Sequence, residues 1–248
     1  MSGAHSYLIL GASSDVGVEL IRRLNGREEN ALFLAHCNSG ADALARIVAK
    51  NGNALRTLPC DLGDGARLGR FIDEVASAVD APTHIVHLAA PPFLHTKPTD
   101  FDEERFFRSM RVQVSSFLSV VRRFLPVMQK RKAHNKIVAV LSSVTLGKPP
   151  AQLLEYTAVK HALWGAVKSL ASDTAGKRLN VNAVSPSMIG TKFLGGIDER
   201  IVRLCAEGSP EGRIARVEDI VPAIEFLLSP GANYVHGVNL NVSNGGAW

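Results

Sequence analysis

The sequence is poor in cysteine, with only Cys37, Cys60 and Cys205 among its 248 residues. The three are odd in number, lie far apart and form no Cys-x-x-Cys pair, which excludes a disulfide framework and a zinc site of the usual spacing. We therefore interpret them as plain thiols and expect no metal site.

Long apolar runs are also lacking. No segment approaches the roughly 20 apolar residues that a membrane span requires. The amino-terminal stretch MSGAHSYLILGASS has no basic region followed by a long apolar stretch and a cleavage site. We expect a cytoplasmic protein with no membrane partner.

A strong charge excess is missing too. The 28 Lys and Arg residues exceed the 23 Asp and Glu residues by a formal charge of +5. This excess suits an anionic ligand or a carrier but is too small, and too dispersed, to indicate nucleic-acid binding. With 46% hydrophobic and 21% charged residues, the composition is that of a soluble globular protein. The absence of linkers predicts one domain over residues 1–248.

What the sequence does contain is a series of short apolar runs rich in β-branched residues. Seven such strand candidates are YLILG from Tyr7, ALFLAH from Ala31, ALRTLPC from Ala54, HIVHLA from His84, KIVAVLS from Lys136, LNVNAV from Leu179 and VNLNV from Val238. Helix-like segments separate them, for example the one with Val16, Leu20, Ile21 and Leu24. Continuous rather than alternating hydrophobicity indicates strands covered on both faces. We predict an α/β, doubly wound Rossmann fold, with a seven-stranded parallel sheet flanked by helices on both faces.

The first strand runs directly into GASSDVG, Gly11–Gly17, and then into an amphipathic helix. This order is typical of a dinucleotide site, in which small residues let the backbone approach a pyrophosphate and the helix amides stabilise its charge. The alternative is a plain strand-to-helix turn without a ligand. The candidate cofactor-binding residues of this loop are Gly11, Ser13, Ser14, Asp15, Val16 and Gly17.

The second strand ends in His36, Cys37, Asn38 and Ser39, where a site for NAD would present an Asp or Glu to the adenosine ribose. No acid is present, and Asn38 and Ser39 can donate hydrogen bonds to a 2′-phosphate. The sequence therefore favours NADP, with NAD as the less favoured alternative. No Arg occupies this position.

Tyr156 and Lys160 lie four residues apart in a segment of helical periodicity, so their side chains share one helix face. A phenol serves as an acid near neutrality only if its pKa falls from about 10, and a neighbouring ammonium group favours that fall. The alternative is a purely structural helix pair.

Ser143 lies thirteen residues before Tyr156, at the carboxyl end of the fifth strand candidate. In a doubly wound sheet this end lines the ligand crevice, where a hydroxyl can hold a substrate oxygen. The adjacent Ser142 is the rival candidate, and a hydroxyl that caps the local backbone is the structural alternative.

These features, in this order, resemble the short-chain dehydrogenase/reductase (SDR) family over nearly the whole chain. GASSDVG is similar to the family's cofactor loop, and YTAVK to its Tyr-x-x-x-Lys signature. CDLGD from Cys60 is similar to its adenine loop, HLAA from His87 to its Asn-Asn-Ala-Gly loop, and NAVSPSMIGT from Asn182 to its nicotinamide segment. The NADP-using 3-oxoacyl-[acyl-carrier-protein] reductases are the most similar branch.

The resemblance implies a role for each matching residue. Tyr156 would donate the proton, Lys160 would bind the nicotinamide ribose and lower the pKa of Tyr156, and Ser143 would hold the carbonyl. Asp61 would meet the adenine and Thr191 the carboxamide. The other cofactor contacts implied are His36, Asn38, Ser39, Leu62, Ala89, Ala90, Pro186 and Ile189. Such relatives are commonly homotetramers, so we expect a homo-oligomer, either a tetramer or a dimer.

Four positions depart from the family pattern: Asp15 replaces a loop glycine, HLAA lacks the Asn pair, Ser187 replaces the glycine after Pro186, and Gln113 replaces the fourth-helix Asn. In the family that Asn holds a water linking the Lys to solvent. Gln carries the same amide one methylene further out. Gln113 is therefore a catalytic candidate whose relay either persists or shifts.

We expect an NADPH-dependent ketone reductase acting on a small-molecule or carrier-bound carbonyl, with a 3-oxoacyl thioester as the leading substrate. A secondary-alcohol or sugar dehydrogenase is the first alternative. The loops that would distinguish them are 91–100, 144–155 and 192–213. A non-catalytic cofactor-binding sensor or structural subunit is the second alternative.

Overall fold

The computed structural model describes residues 5–92 and 94–246 of the chain. Seven strands form one parallel sheet in the order β3-β2-β1-β4-β5-β6-β7. Their bounds are β1 Ser6–Leu10, β2 Leu32–Cys37, β3 Ala54–Pro59, β4 His84–His87, β5 Asn135–Val140, β6 Leu179–Pro186 and β7 Asn239–Val242. Each of the seven predicted apolar runs forms a strand, and the predicted fold class is confirmed.

The helices connect successive strands. Their bounds are α1 Asp15–Arg27, α2 Ala41–Ala45, α3 Gly65–Ala78, α4 Glu103–Met110, α5 Ser116–Met128, α6 Leu154–Thr174, α7 Glu199–Glu207 and α8 Val217–Leu228. A π-helical turn, Arg111–Ser115, joins α4 to α5. The apolar residues Phe106, Met110, Val114 and Phe117 recur every three or four residues, which predicts an α-helix throughout and does not reveal the turn.

Two apolar cores lie on opposite faces of the sheet. One packs α3, α5 and α6 against the strands, with Phe71, Phe117 and Leu163 buried at its centre. The other packs α1 and α8, and Leu20 and Ile224 are fully buried there. Strands covered on both faces explain the continuous apolar runs.

Local signals set the helix ends that surround the crevice. Ser14 caps α1, because its Oγ accepts a hydrogen bond from the Gly17 amide at 3.1 Å. Asp64 caps α3 by accepting from the Ala66 and Arg67 amides. Both caps satisfy amides that have no partner inside the helix. They fix the first turns of the helices that follow β1 and β3.

Within the described ranges, none of the helices has the length and apolarity needed to cross a bilayer. A search of the same residues finds no group of three or more His, Cys, Asp or Glu side chains able to hold a metal ion.

Candidate active site

A cleft of about 950 Å³ opens at the carboxyl ends of the strands. It brings together eighteen of the predicted site residues from segments far apart in the sequence. These are Gly11, Ser13, Ser14, Asp15, Val16, His36, Asn38, Ser39, Asp61, Leu62, Ala89, Ala90, Ser143, Tyr156, Lys160, Pro186, Ile189 and Thr191. Gly17 and Gln113 do not line it.

The turn after β1 depends on a glycine. Gly11 has a φ of +80°, and a Cβ there would lie 2.7 Å from the Ala89 amide nitrogen, so no other residue fits without displacing the β4 loop. The Gly11 amide donates to His36 Nδ1 at 3.0 Å, and His36 Nε2 lies 2.9 Å from the Cys60 carbonyl oxygen. Burial lowers the pKa of His36. The neutral ring, with its proton on Nε2, therefore ties the turn to the loop after β3.

Gly17 lies behind the loop rather than in the cleft. A Cβ at Gly17 would lie 2.6 Å from the Ala12 carbonyl oxygen. The glycine thus lets α1 approach the turn closely, which is a packing function and not a direct contact with a ligand.

The segment after β6 is attached to the loop after β1. The Lys192 amide donates to Asp15 Oδ2 at 2.8 Å, and Lys192 Nζ donates to the Ser13 carbonyl oxygen at 2.7 Å. Ser13 Oγ also donates to the Ser39 carbonyl oxygen at 2.7 Å, which joins the loop to the end of β2. Sequence reasoning missed Lys192, since its partners lie about 180 residues away and no local pattern marks it.

At the β2 and β3 end, Asp61 has two partners. The Gly63 amide donates to its Oδ1 at 2.9 Å, and Arg108 Nη2 lies 3.1 Å from its Oδ2. The Gly63 hydrogen bond, aided by Arg108, lowers the pKa of Asp61. Arg108, on α4, also lines the cleft and was not predicted. An adjoining cavity of about 540 Å³ is lined by Asn38, Asp61, Arg67 and Arg70, among others.

Tyr156 and Lys160 reach the other half of the cleft from α6. Lys160 is 4% exposed, and its Nζ donates to the Val140 carbonyl oxygen at 3.1 Å. Nζ lies 5.7 Å from the centre of the Tyr156 ring. Burial lowers the pKa of Lys160 to about 8. The helix thus holds the Lys160 side chain beside the phenol on one face, as the four-residue spacing predicted, and burial weakens the preference of Lys160 for its charged form.

The phenol of Tyr156 is bonded to Ser142. Burial raises the pKa of Tyr156, and the hydrogen bond with Ser142 opposes that rise. Ser142 Oγ also accepts from the Val144 amide at 3.4 Å, in the first turn of a short 3-10 helix, Ser143–Thr145. Ser142 and Ser143 both line the cleft. The rival hydroxyl considered from the sequence is therefore the partner of the phenol here.

Gln113 lies in the π-helical turn and is 2% exposed. Its backbone carbonyl oxygen lies 2.8 Å from Nε2 of His87, the residue that replaces the first Asn of the expected loop. Burial lowers the pKa of His87 to about 3, so the neutral ring donates to this carbonyl. Within the described residues, neither His87 Nδ1 nor Gln113 Oε1 has a hydrogen-bond partner. The ring of His87 is thus in contact with the backbone of Gln113 and not with its side chain.

Beyond Tyr156 the cleft wall is largely apolar. It includes Pro92, Pro150, Leu153, Met188, Leu194 and Ile201. All of them except Met188 lie in the segments 91–100, 144–155 and 192–213, which were predicted to distinguish substrates. An apolar wall of this kind suits a substrate with a hydrocarbon part.

Comparison with known sequences gives matches along almost the whole chain. Residues 11–247 match the profile of the family described as enoyl-(acyl carrier protein) reductase. The uncharacterized oxidoreductase YmfI of Bacillus subtilis is 30% identical, with 96% of this chain and 97% of YmfI covered. The 3-oxoacyl-[acyl-carrier-protein] reductase FabG of Escherichia coli is 26% identical, with 96% and 95% covered.

Comparison with solved structures gives the same fold. The angucycline C-6 ketoreductase LanV with bound NADP superposes with a TM-score of 0.87 at 23% identity, over 98% of this chain and 95% of LanV. A 7α-hydroxysteroid dehydrogenase in complex with NADH and a 7-oxo bile acid superposes with a TM-score of 0.86 at 26% identity, over 98% and 94%.

Proposed function

The chain belongs to the short-chain dehydrogenase/reductase family, whose members are oxidoreductases acting on carbonyl and alcohol groups, and we propose that it is an NADPH-dependent ketone reductase. The observation that carries the proposal is one continuous cleft. It has the glycine turn of the predicted cofactor loop at one end and the Ser, Tyr and Lys side chains at the other.

The residues present fit a nicotinamide dinucleotide. The Gly11 turn admits no Cβ, and it leads directly into the amino terminus of α1, where amides and the helix dipole favour a pyrophosphate. The candidate contacts of the loop, among them Ser13, Ser14 and Val16, line the same part of the cleft. When bound, the cofactor supplies the hydride for the carbonyl carbon.

The side chains of this chain hold the substrate and supply the proton. Burial raises the pKa of Tyr156, whereas Lys160 was expected from the sequence to lower it. The phenol is the protonated form that ketone reduction needs, and the positive charge of an oxidised nicotinamide would favour its ionisation after the transfer. We assign Tyr156 the role of proton donor, Lys160 that of the cation that binds the ribose and favours phenolate after the transfer, and Ser143 that of the donor to the carbonyl oxygen. We keep Gln113 as a catalytic candidate for the proton relay; its backbone carbonyl oxygen contacts His87, and its side chain does not line the cleft.

The preference for NADP rests on the end of β2. His36, Asn38 and Ser39 line the cleft there and provide no carboxylate to repel a 2′-phosphate. Arg67 and Arg70 line the adjoining cavity with Asn38, but Asp61 and Glu74 line it too and balance their charge. The preference therefore rests on the missing carboxylate at the end of β2. NAD is the second candidate. LanV was solved with NADP and the steroid dehydrogenase with NADH.

We propose a 3-oxoacyl thioester as the substrate, either free or attached to a carrier. The similarity to FabG along 96% of the chain supports this class. The apolar wall beyond Tyr156 would hold the acyl part. A secondary-alcohol or sugar dehydrogenase is the enzymatic alternative, and a cofactor-binding protein without turnover is the non-enzymatic one.

The test is a fluorescence titration with NADPH and with NADH, followed by addition of an acetoacetyl thioester. We expect tighter binding of NADPH and its oxidation on adding the thioester. Tyr156→Phe should bind NADPH with unchanged affinity and lose turnover by at least about 10²-fold, the usual contribution of general acid catalysis. Tyr234→Phe is the matched control, because Tyr234 is fully exposed. Binding of neither nucleotide would overturn the proposal, and binding without turnover would favour the alternatives.

We propose further that the protein is a cytoplasmic homo-oligomer, a tetramer or a dimer. Apolar side chains exposed on α4 and α5 support the assembly: Phe107 is 48% exposed and Leu118 is 45% exposed. Side chains of this kind in one region mark surfaces that bind other chains. Light scattering coupled to size-exclusion chromatography would give the number of protomers.

A further inference from the structure

The cleft contains few charged side chains, and most of them have a partner or a role already described. Those among the described lining residues are Asp15, Asp61, Arg108, Lys160, Lys192 and Arg213. Arg108 is paired with Asp61, and Arg213 with Asp219 at 2.6 Å. Lys160 is buried at the reacting end. Among these residues Lys192 is the one cation that contacts the loop after β1.

The contacts of Lys192 join two segments that must both approach a bound dinucleotide. Its amide and its ammonium group bond to Asp15 Oδ2 and to the Ser13 carbonyl oxygen, and Nζ is 3.6 Å from Asp15 Oδ1. Lys192 follows Thr191, the predicted carboxamide contact. One residue thus links the phosphate end of the site to its nicotinamide end.

The negative charge of Asp15 would repel a bound pyrophosphate, and the positive charge of Lys192 can offset this repulsion. The carboxylate lies in the first turn of α1, where it is stabilised by the helix dipole, as any anion would be. A pyrophosphate bound at the same turn would be repelled by it. Lys192 balances the negative charge, and its flexible stem lets Nζ move from the Ser13 carbonyl to a phosphate oxygen.

We propose that Asp15 and Lys192 form a charge-paired clasp over the cofactor, in which Lys192 binds the pyrophosphate and offsets the charge of Asp15. This inference rests on the proposed function, since it requires a dinucleotide in the cleft. Asp15 keeps the β6 segment in place through the Lys192 amide, so the clasp also positions Thr191.

The experiment measures the dissociation constant of NADPH for the wild type, Lys192→Ala, Asp15→Asn and the double variant, at 0.1 and 1 M KCl. At low salt we expect the Lys192→Ala constant to rise about tenfold, because it leaves Asp15 unpaired beside the pyrophosphate. Asp15→Asn keeps an acceptor for the Lys192 amide and should bind several-fold more tightly. In the double variant the Lys192→Ala loss should be mostly recovered.

Measuring NADPH affinity at two salt concentrations distinguishes an electrostatic contribution of Lys192 from a packing contribution. At 1 M KCl the screening length falls to about 3 Å, so the Lys192→Ala loss should shrink markedly. The control is Lys177→Ala, since Lys177 is exposed just before β6, at the opposite end of the sheet. A Lys192→Ala constant within twofold of the wild type would overturn the clasp, as would a loss that neither Asp15→Asn nor salt relieves. A wild type that binds no NADPH would instead overturn the proposed function.

Discussion

Two adjacent hydroxyls at the end of β5 have different surroundings. Ser142 is engaged with the Tyr156 phenol and with the Val144 amide, whereas Ser143 begins the short 3-10 helix on the cleft wall. A hydroxyl already bonded to the phenol tunes the acid. A neighbour on the wall can hold the substrate oxygen. We propose separate roles for the two serines, which single variants can distinguish.

We expect Ser143→Ala to lower kcat by about 10² to 10³-fold, the usual loss when a donor to the developing oxyanion is removed. Ser142→Ala should lower kcat by a smaller factor than Ser143→Ala. Removing its hydrogen bond should raise the pKa of Tyr156 further, which moves the pH–rate profile upward. Steady-state rates at pH 6 to 10 on both variants would check this. The reverse order of losses would assign the substrate contact to Ser142.

The residues that the sequence could not reveal are those defined by long-range packing. Tyr156 and Lys160 were predictable because helical spacing alone places them together. The Asp61–Arg108 and Asp15–Lys192 pairs join residues 47 and 177 positions apart, and His87 contacts the backbone of Gln113, 26 positions away. Local sequence patterns do not show which distant side chain pairs with a given residue. The motif residues were thus predicted, and their partners were not.

Among the elements, α1 carries two glycines in opposite environments. A Cβ at Gly17 would meet the Ala12 backbone at 2.6 Å, whereas a Cβ at Gly26 has nothing within 4 Å. Glycine inside a helix costs about 0.5 to 1 kcal/mol relative to alanine. A Gly→Ala substitution should therefore change the free energy of unfolding in opposite directions at the two ends of α1.

We expect Gly26→Ala to raise the free energy of unfolding by about 0.5 to 1 kcal/mol. Gly17→Ala should lower it by about 1 to 3 kcal/mol, the usual cost of overpacking. It should also weaken NADPH binding, because Ala12 belongs to the cofactor loop. Urea unfolding and a nucleotide titration on both variants would test this. Equal stability changes at the two positions would contradict the packing role of Gly17.

The strands were predictable at this scale for a physical reason. Strands of a parallel sheet covered on both faces are rich in apolar residues. Every residue of β1, β4 and β6 is buried, although His84, Asn180 and Asn182 interrupt the apolar runs. The edge strand β3 is mostly exposed, and its sequence was still recognised by its β-branched and apolar content. Periodicity could not locate the break between α4 and α5, because it reports the face of a helix and not its hydrogen-bond pattern.

For the whole molecule, four buried bases contribute to the dependence of stability on pH. Burial lowers the pKa of both His84 and His87 to about 3, and that of Lys136 and Lys160 to about 8. In each case the unfolded chain binds more protons than the folded one between the lowered and the normal pKa. Stability therefore rises with pH through two windows, from about 3 to 6.5 for the histidines and from about 8 to 10.4 for the lysines.

The acid window gives a quantitative test on His84, which is 3% exposed and whose Nε2 lies 3.2 Å from the Leu228 carbonyl oxygen. Between pH 7 and 5.5 each buried histidine should cost about 1 kcal/mol of unfolding free energy, since the unfolded ring gains a proton and the folded ring does not. His84→Gln removes this titration and should lose about 1 kcal/mol less than the wild type over the same interval. His161→Gln, at an exposed position on α6, is the control and should follow the wild type. Urea unfolding at the two pH values measures the difference, and equal losses for His84→Gln and the wild type would show that His84 is protonated in the folded protein.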